Sequence, residues 1–364
     1  MLIEQKKTVE GGVSCIEISD PVALPSKPTV SVKMITYNHA TYIADAIEGV
    51  LSQETDFPIE LVVGEDCSTD NTMKIVRSYA EKHPDVIRIA TSSSNVGSKE
   101  NSWRTEFLCR GEFLAFCEGD DYWHDTTKLS KQVEILKADS NCVLVHTDVD
   151  KVFVEGRSRI GRYQYRMNRN YQKAVSMEEN FARILANETK IITPTVCLRA
   201  KTLRAVVSAN PQLFLRSTYP MGDTPRWLEL AMKGAFRYID EPTAVFRRLP
   251  ESASRSNDMN RLAQFTIKGI ELRRYFAAKY PQAVDTAKFN SALRRMGARA
   301  IRRACLADNL DAIRQISDLM PRSALCERLL SFFARNSVIR SVYRSIDGVF
   351  FWIYRKARRL KYDV

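Results

Sequence analysis

The chain has 364 residues, 45% hydrophobic and 27% charged, which is enough to bury a large core and is the composition of an ordinary globular protein, not of a disordered or fibrous one. Its net charge of +12 lies entirely in the last third: residues 1–250 hold 32 Lys/Arg against 33 Asp/Glu, whereas 251–364 hold 23 against 10. Eight scattered cysteines with no Cys-x-x-Cys spacing argue against a zinc site or a disulfide framework and fit a reducing compartment. The first residues lack the basic-then-apolar pattern of a secretory signal, and no run approaches the ~18–20 apolar residues of a membrane span. A cytoplasmic protein is expected.

Residues 1–27, with Gly11, Gly12, Pro21 and Pro25, show little periodicity and read as an N-terminal extension or linker. From residue 28 strands and helices alternate. Residues 30–35 form a β run, and Ile43, Ala46, Ile47, Val50 and Leu51 follow at helical spacing. Residues 59–63 make a second strand, followed by a helix with Ser68 or Asp70 as its candidate cap. A strand at 86–90, a helix at about 99–109 and a strand at 112–117 complete an order that predicts a parallel sheet covered on both faces. Beyond it come a helix at 128–137, a strand at 142–146, and a helix, strand and helix at 181–186, 191–198 and 202–207. Between them, 151–173 is basic and aromatic and reads as a surface loop or flap. After residue 250 the pattern is helical, with Leu262, Phe265, Ile270, Leu272 and Phe276 as core candidates.

In an open parallel sheet, ligands bind at the carboxyl ends of the strands. The polar clusters sit there: Thr36-Tyr37-Asn38 after the first strand, Gly64 to Asp70 after the second, Asn95-Val96-Gly97 after the third, and Glu118-Gly119-Asp120-Asp121 after the fourth. Three carboxylates within four residues repel one another unless solvent or a cation relieves them. A hard divalent ion, Mg2+ or Mn2+, which takes one or two carboxylates plus substrate phosphates, suits that group. Asp66 can accept a hydrogen bond from a base and Tyr37 can offer its ring. No Gly-x-Gly-x-x-Gly follows the first strand and no P-loop motif occurs, which disfavours dinucleotide and P-loop chemistry.

Taken together, Thr36-Tyr37-Asn38, the run from Gly64 to Thr72, the acidic run from Glu118 to Trp123 and Met221-Gly222-Asp223 resemble the family 2 inverting glycosyltransferases of bacterial surface-polysaccharide type. The match covers about residues 29–251. The resemblance implies a GT-A fold, an α/β architecture with a mostly parallel sheet flanked by helices, over 28–250, followed by a basic helical C-terminal region over 251–364. It implies that Thr36, Tyr37, Asn38, Asp66 and Glu118 meet the nucleotide, with Glu118 near the ribose. Asp120, with Glu118, would ligate the metal, and Asp223 would be the general base for the acceptor hydroxyl. A nucleotide-sugar donor and a glycan or lipid-linked acceptor are the implied substrates.

The sequence departs from the family pattern at two places. Glu118 stands where the metal motif more often begins with Asp, and Leu249 stands where many members carry a His, so Arg247 or Arg248 would have to supply the positive charge there. Each motif also has a plainer reading. Asp120 and Asp121 suit a solvated turn, Ser68, Thr69 and Asp70 suit helix capping, and Asp223 suits a helix start near the positive end of the dipole. Trp123 reads as packing beneath the site, and His39, His83, His124 and His146 as structural or exposed.

Two surfaces remain. The basic-aromatic stretch 157–171 suits an anionic acceptor or simply a solvated loop. Near the C-terminus, Ile339, Val342, Tyr343, Ile346, Val349, Phe350 and Ile353 fall on one helical stripe followed by basic residues, which suits either an anionic membrane surface or packing on the domain. The first would place the protein at the inner face of the plasma membrane. Rival readings are a nucleotidyltransferase, which lacks its Gly-rich basic loop here, and a non-catalytic nucleotide or polyanion binder. The acidic crevice argues against nucleic acid as a partner.

Overall fold

The computed structural model describes residues 1–9, 13–153, 158–163, 176–215, 219–220, 222–249 and 258–320. The C-terminal stripe and most of the basic-aromatic stretch, including Arg166, lie outside the described residues, as does Met221.

In chain order the elements are β1 (Ile3–Val9), β2 (Val13–Ser19), β3 (Val30–Thr36), α1 (Ile43–Leu51), β4 (Ile59–Glu65), α2 (Thr72–Lys82), β5 (Ile87–Thr91) and α3 (Ser98–Leu108). Then follow β6 (Phe113–Phe116), β7 (Tyr122–Trp123), α4 (Lys128–Ala138), β8 (Cys142–Phe153), β9 (Ser158–Ile160), α5 (Met177–Leu185), β10 (Val196–Arg199), α6 (Ala200–Ala209) and α7 (Pro211–Leu215). The last are α8 (Asp223–Ala231), β11 (Ala235–Arg248), α9 (Met259–Lys279), α10 (Thr286–Leu306) and α11 (Leu310–Leu319).

All eleven strands join one sheet in the order β1-β2-β5-β4-β3-β6-β10-β8-β11-β7, with β9 beside β8. Its centre is parallel, as the alternating pattern predicts: β4 pairs with β5 and β3, and β3 pairs with β6. These strands are buried on both faces and so read as near-continuous apolar runs. Outside the centre the sheet is mixed. β10 runs antiparallel to both β6 and β8, and β11 runs parallel to β8, so β8 and β11 point the same way as the central strands.

Three elements differ from the sequence reading. The linker expected over 1–27 contains a hairpin, with β1 antiparallel to β2 and β2 antiparallel to β5. Its alternation was hidden because an edge hairpin with one face in solvent keeps Lys6, Lys7, Glu4 and Glu17 in the strands. The strand expected at 191–198 is short, because Pro194 imposes a 3-10 turn over Thr193–Thr195 before β10 begins. Part of the flap expected at 151–173 belongs to the sheet, since β8 continues to Phe153 and pairs with β9.

Apolar side chains pack both faces of the sheet. On one face Ile43, Ala46, Ile47 and Val50 of α1 join Val76 and Ala80 of α2 and Leu129, Val133 and Leu136 of α4. The other face carries Trp103, Phe181, Leu203, Val207, Trp227, Leu228, Leu272 and Phe276, so α9 docks there beside α5 and α8. A separate small core of Ala263, Ile267, Ala300, Ala304, Ile313 and Ile316 holds α9, α10 and α11 together. Ile270, Leu272 and Phe276 are buried as expected, while Leu262 and Phe265 are only half-buried and Ala263 and Ile267 take the inward positions. The seven described cysteines are all free, and among the described residues no helix is long and apolar enough to cross a membrane.

Candidate active site

Strands β3, β4 and β6 end at one edge, and their loops are stitched together before any ligand is considered. The Asn38 N–H donates to Ser68 Oγ at 3.0 Å, and Asn38 Oδ1 accepts from the Thr69 N–H at 2.8 Å. The His39 N–H donates to Thr72 Oγ1 and the Ala40 N–H to Asp70 Oδ2. Asn38 and Cys67 both hold φ +55°, a left-handed conformation that Asn accepts readily and Cys does not. Of the two candidate caps, Asp70 accepts the N–H of Thr72 at the start of α2, whereas Ser68 is spent on the neighbouring loop.

Asp66 is buried, and its carboxylate is already engaged. Oδ1 accepts from the Val96 N–H and Oδ2 from the Gly97 N–H, each at 2.9 Å, and Arg104 adds an ion pair at 3.3 Å. The residue therefore fixes the loop between β5 and α3. Tyr37 projects from the neighbouring loop and is 42% exposed, leaving its ring available to a ligand.

The acidic run follows β6. Gly119 passes so close to the end of β3 that a Cβ there would lie 2.7 Å from Thr36 Oγ1, so any side chain would push the run away from the Thr36 loop. Gly49 plays the same part from below: a Cβ would lie 2.6 Å from the Trp123 carbonyl, so α1 can seat directly against β7. Trp123 is buried, donates its Nε1–H to the Pro194 carbonyl at 2.8 Å and forms the floor of the turn, as expected of a packing residue.

Glu118, Asp120 and Asp223 act on one another electrostatically, which brings together residues more than a hundred positions apart. Burial pushes the Glu118 carboxyl up to about 7; Lys33 opposes this, Asp120 and Asp223 reinforce it, and Arg226 opposes it. Burial likewise pushes Asp121 well above the usual carboxylate range, helped by Asp120, although it accepts the Arg247 N–H at 2.8 Å. Asp223 opens α8, where its Oδ1 accepts the Thr224 N–H at 2.6 Å. The plainer reading of Asp223 as a helix-start residue and its place beside Glu118 are both realised.

Four side chains around this group were not singled out as site residues by sequence. Lys33 lies in the middle of β3, pairs with Glu106 at 2.8 Å and, with Arg226, contributes positive charge behind Glu118. Burial works against ionisation of Glu106, yet Lys33 and Arg226 hold it below its ordinary value. His39, expected to be structural or exposed, is half-buried, lies 3.2 Å from Thr36 Oγ1 and senses both Asp120 and Asp70; burial lowers its pKa. Arg247 donates to the Asp120 carbonyl at 3.3 Å, pairs with Asp45 and stacks over Tyr122, 4.4 Å from its ring centre. Only Arg247 carried a signal, its position two residues before Leu249.

The donor set here is oxygen: Glu118 and Asp120 offer hard carboxylate ligands of the kind Mg2+ and Mn2+ prefer. Burial, and after it repulsion from Asp120 and Asp223, raise Glu118; a cation would offset both by favouring the ionised carboxylate, so the residues fit one. Among the described residues, however, no three His, Cys, Asp or Glu side chains close into a ready-made cage.

Residues 31–201 match the family model described as glycosyl transferase family 2. The chain is 38% identical over 127 residues to an uncharacterized protein of Mycobacterium tuberculosis, covering 35% of this chain and 37% of that one. It is 37% identical over 101 residues to the poly(ribitol-phosphate) beta-N-acetylglucosaminyltransferase TarS of Staphylococcus aureus, covering 27% of this chain and 17% of TarS. These matches span well under two thirds of either relative. Among solved structures, S. aureus TarS 1–349 in complex with UDP-GlcNAc aligns with a TM-score of 0.52 at 18% identity, covering 89% of this chain and 92% of that one, which shows a shared GT-A-like fold.

Proposed function

We propose, for a chain whose residues 31–201 match the glycosyl transferase family 2 model, a metal-dependent, inverting transfer of a sugar from a nucleotide-sugar donor to a glycan or lipid-linked acceptor hydroxyl, in surface-polysaccharide synthesis. The observation that carries the reading is the convergence of Glu118 and Asp120 with Asp223 at the carboxyl edge of a parallel sheet. Relatives named as glycosyltransferases, and TarS holding UDP-GlcNAc in a similar fold, support it.

In this reading the nucleotide lies across the joined loops of β3 and β4. Tyr37 covers the base, Asp66 holds the loop beneath it, and Thr36 with Asn38 fixes the loop that carries Tyr37. Glu118 meets the ribose. A divalent ion held by Asp120 and Glu118 would offset the negative charge that gathers on the departing diphosphate. Asp223 takes the proton of the acceptor hydroxyl as that oxygen attacks the anomeric carbon from the face opposite the leaving group, so the configuration inverts. Arg247 ties the carbonyl of Asp120 and the carboxylate of Asp121 to β11, and so holds the turn in register where a His is absent at position 249.

The test is turnover of a nucleotide-sugar panel with Mn2+ or Mg2+, comparing wild type with Asp223→Asn. Loss of a general base predicts a kcat lower by ~10^2–10^4 with donor affinity retained. An Asp223→Asn enzyme with unchanged kcat would remove Asp223 from the mechanism.

A further inference from the structure

Asp223 and the acidic turn come from distant parts of the chain, and a buried ion bridge ties the backbone of one to the sheet that carries the other. Gly222, the residue before α8, has no side chain with which to cap the helix, so the usual N-cap hydrogen bond is missing just where Asp223 leaves its loop. Arg226, one turn on, supplies a hold of another kind: its Nη1 donates to the Gly222 carbonyl at 2.7 Å. The same guanidinium donates from Nη2 to Glu106 Oε2 on α3 at 3.2 Å. That oxygen also accepts from Lys33 Nζ of β3 at 2.8 Å, and Lys33 donates further to Ser102 Oγ at 2.6 Å. A chain of contacts thus runs from the sheet through α3 to the peptide group that precedes Asp223.

Little of the bridge meets solvent. The Lys33 and Glu106 side chains are each 5% exposed and that of Arg226 is 12% exposed. Aromatic packing flanks it: the Phe116 ring at the end of β6 meets Trp227 of α8 edge-on with ring centres 6.0 Å apart, and Lys33 Nζ lies 5.5 Å from the centre of Phe116. Phe116 stands two residues before Glu118, so these contacts tie α8 to the strand that delivers the acidic run. A buried ion pair often does no more for stability than apolar side chains of the same volume. What it adds is direction, because a planar guanidinium with fixed N–H vectors sets the distance and angle between the groups it joins.

We propose that Arg226 and Glu106 are positioning residues for the general base: Arg226, anchored on Glu106 and Lys33, holds the Gly222 carbonyl and so fixes Asp223 at working distance from the turn that carries Glu118 and Asp120. Both act through Asp223. The naming of Asp223 as base rests on the glycosyl-transfer reading; the bridge that holds its backbone does not. A misplacement of ~1 Å at a reacting group can cost ~10^2-fold in rate. Loosening the bridge therefore acts on kcat and spares the nucleotide loops, which are joined by their own hydrogen bonds.

The test uses the full chain with Mn2+ and the nucleotide-sugar that wild type turns over in the donor panel. Arg226→Lys keeps the charge beside Glu106 but has a single nitrogen in place of the two that span Glu106 and the Gly222 carbonyl. It should lower kcat ~10-fold, and Arg226→Met ~10^2-fold, with donor KM and UDP affinity within about twofold of wild type. In an Asp223→Asn background, Arg226→Met should change the residual kcat by less than about twofold, because the group it positions is already gone. A merely structural role would lower kcat in that background too, or raise donor KM; either result would overturn the proposal, as would an unchanged kcat in Arg226→Met. Arg226→Lys takes its place in the cycle if Arg226→Met does not fold. Amide exchange over residues 222–228 reads the bridge without turnover: it should quicken at least ~5-fold in Arg226→Lys, and equal exchange would overturn the bridge. A wild type that turns over no donor, or an unchanged kcat in Asp223→Asn, would instead count against the glycosyl-transfer reading, and the exchange measurement would still decide the bridge.

Discussion

Glu118 gives the sharpest quantitative test, because its pKa sets how stability depends on pH. In the unfolded chain its carboxyl titrates near 4.5, and in the folded chain at about 7. Between those values the folded state holds a proton that the unfolded state has released, so stability falls as pH rises through the window. At 1.36 kcal/mol per pH unit, the loss between pH 5 and pH 8 comes to about 2.5 kcal/mol, and solvent access to the half-buried side chain brings it nearer about 2. Glu118→Gln keeps the shape and removes the titration. Urea unfolding in EDTA at pH 5, 6, 7 and 8 should therefore show wild type losing about 2 kcal/mol relative to the variant, with the two near each other at pH 5. Parallel curves, with a constant difference across the range, would refute the claim that burial and the neighbouring Asp120 and Asp223 raise this group.

The same reasoning applies with the opposite sign to Lys128, whose pKa burial lowers from 10.5 to about 8. Wild type should gain stability between pH 8 and 10.5, by up to about 3 kcal/mol, and Lys128→Met should lack that gain in parallel urea titrations. Asp66→Asn places an amide against N–H groups that need an acceptor and strips Arg104 of its buried partner, so it should cost at least about 2 kcal/mol of unfolding free energy. A loss below about 0.5 kcal/mol would mean that the carboxylate is free for a ligand after all. Arg247→Met should weaken UDP binding in Mg2+ about tenfold, since one hydrogen bond to the turn and the pair with Asp45 are lost. A change below twofold would show that the turn holds itself.

The sequence made the central sheet readable because buried parallel strands are continuous apolar runs and the covering helices repeat at i, i+3 and i+4. Ile43, Ala46, Ile47 and Val50 were visible for that reason. The β1–β2 hairpin was not, because half of each edge strand is polar and its partner β5 lies some seventy residues away. β11 escaped for a related reason: its fourteen residues break register around Pro242 as they follow β8, so no clean period survives. Within the site, the acidic run was legible as local chemistry, but Lys33 looked like any strand residue and His39 like any loop histidine. Their relation to Glu118 and Asp120 exists only across the sheet.

By itself the sequence marked the polar groups at the strand ends, the carboxylates after β6 and the Thr36 and Asp66 loops, while Asp223 was picked out only by the family resemblance. Local spacing suffices for the strand-end groups, because strand ends are local. The tertiary structure decided what those groups do to one another. It engaged both oxygens of Asp66 with backbone N–H groups, raised Glu118 by placing Asp120 and Asp223 beside it in a buried crevice, and gave the role of holding the turn to Arg247. The physical reason is that charge interactions and desolvation depend on distance and burial, and neither is fixed by sequence separation.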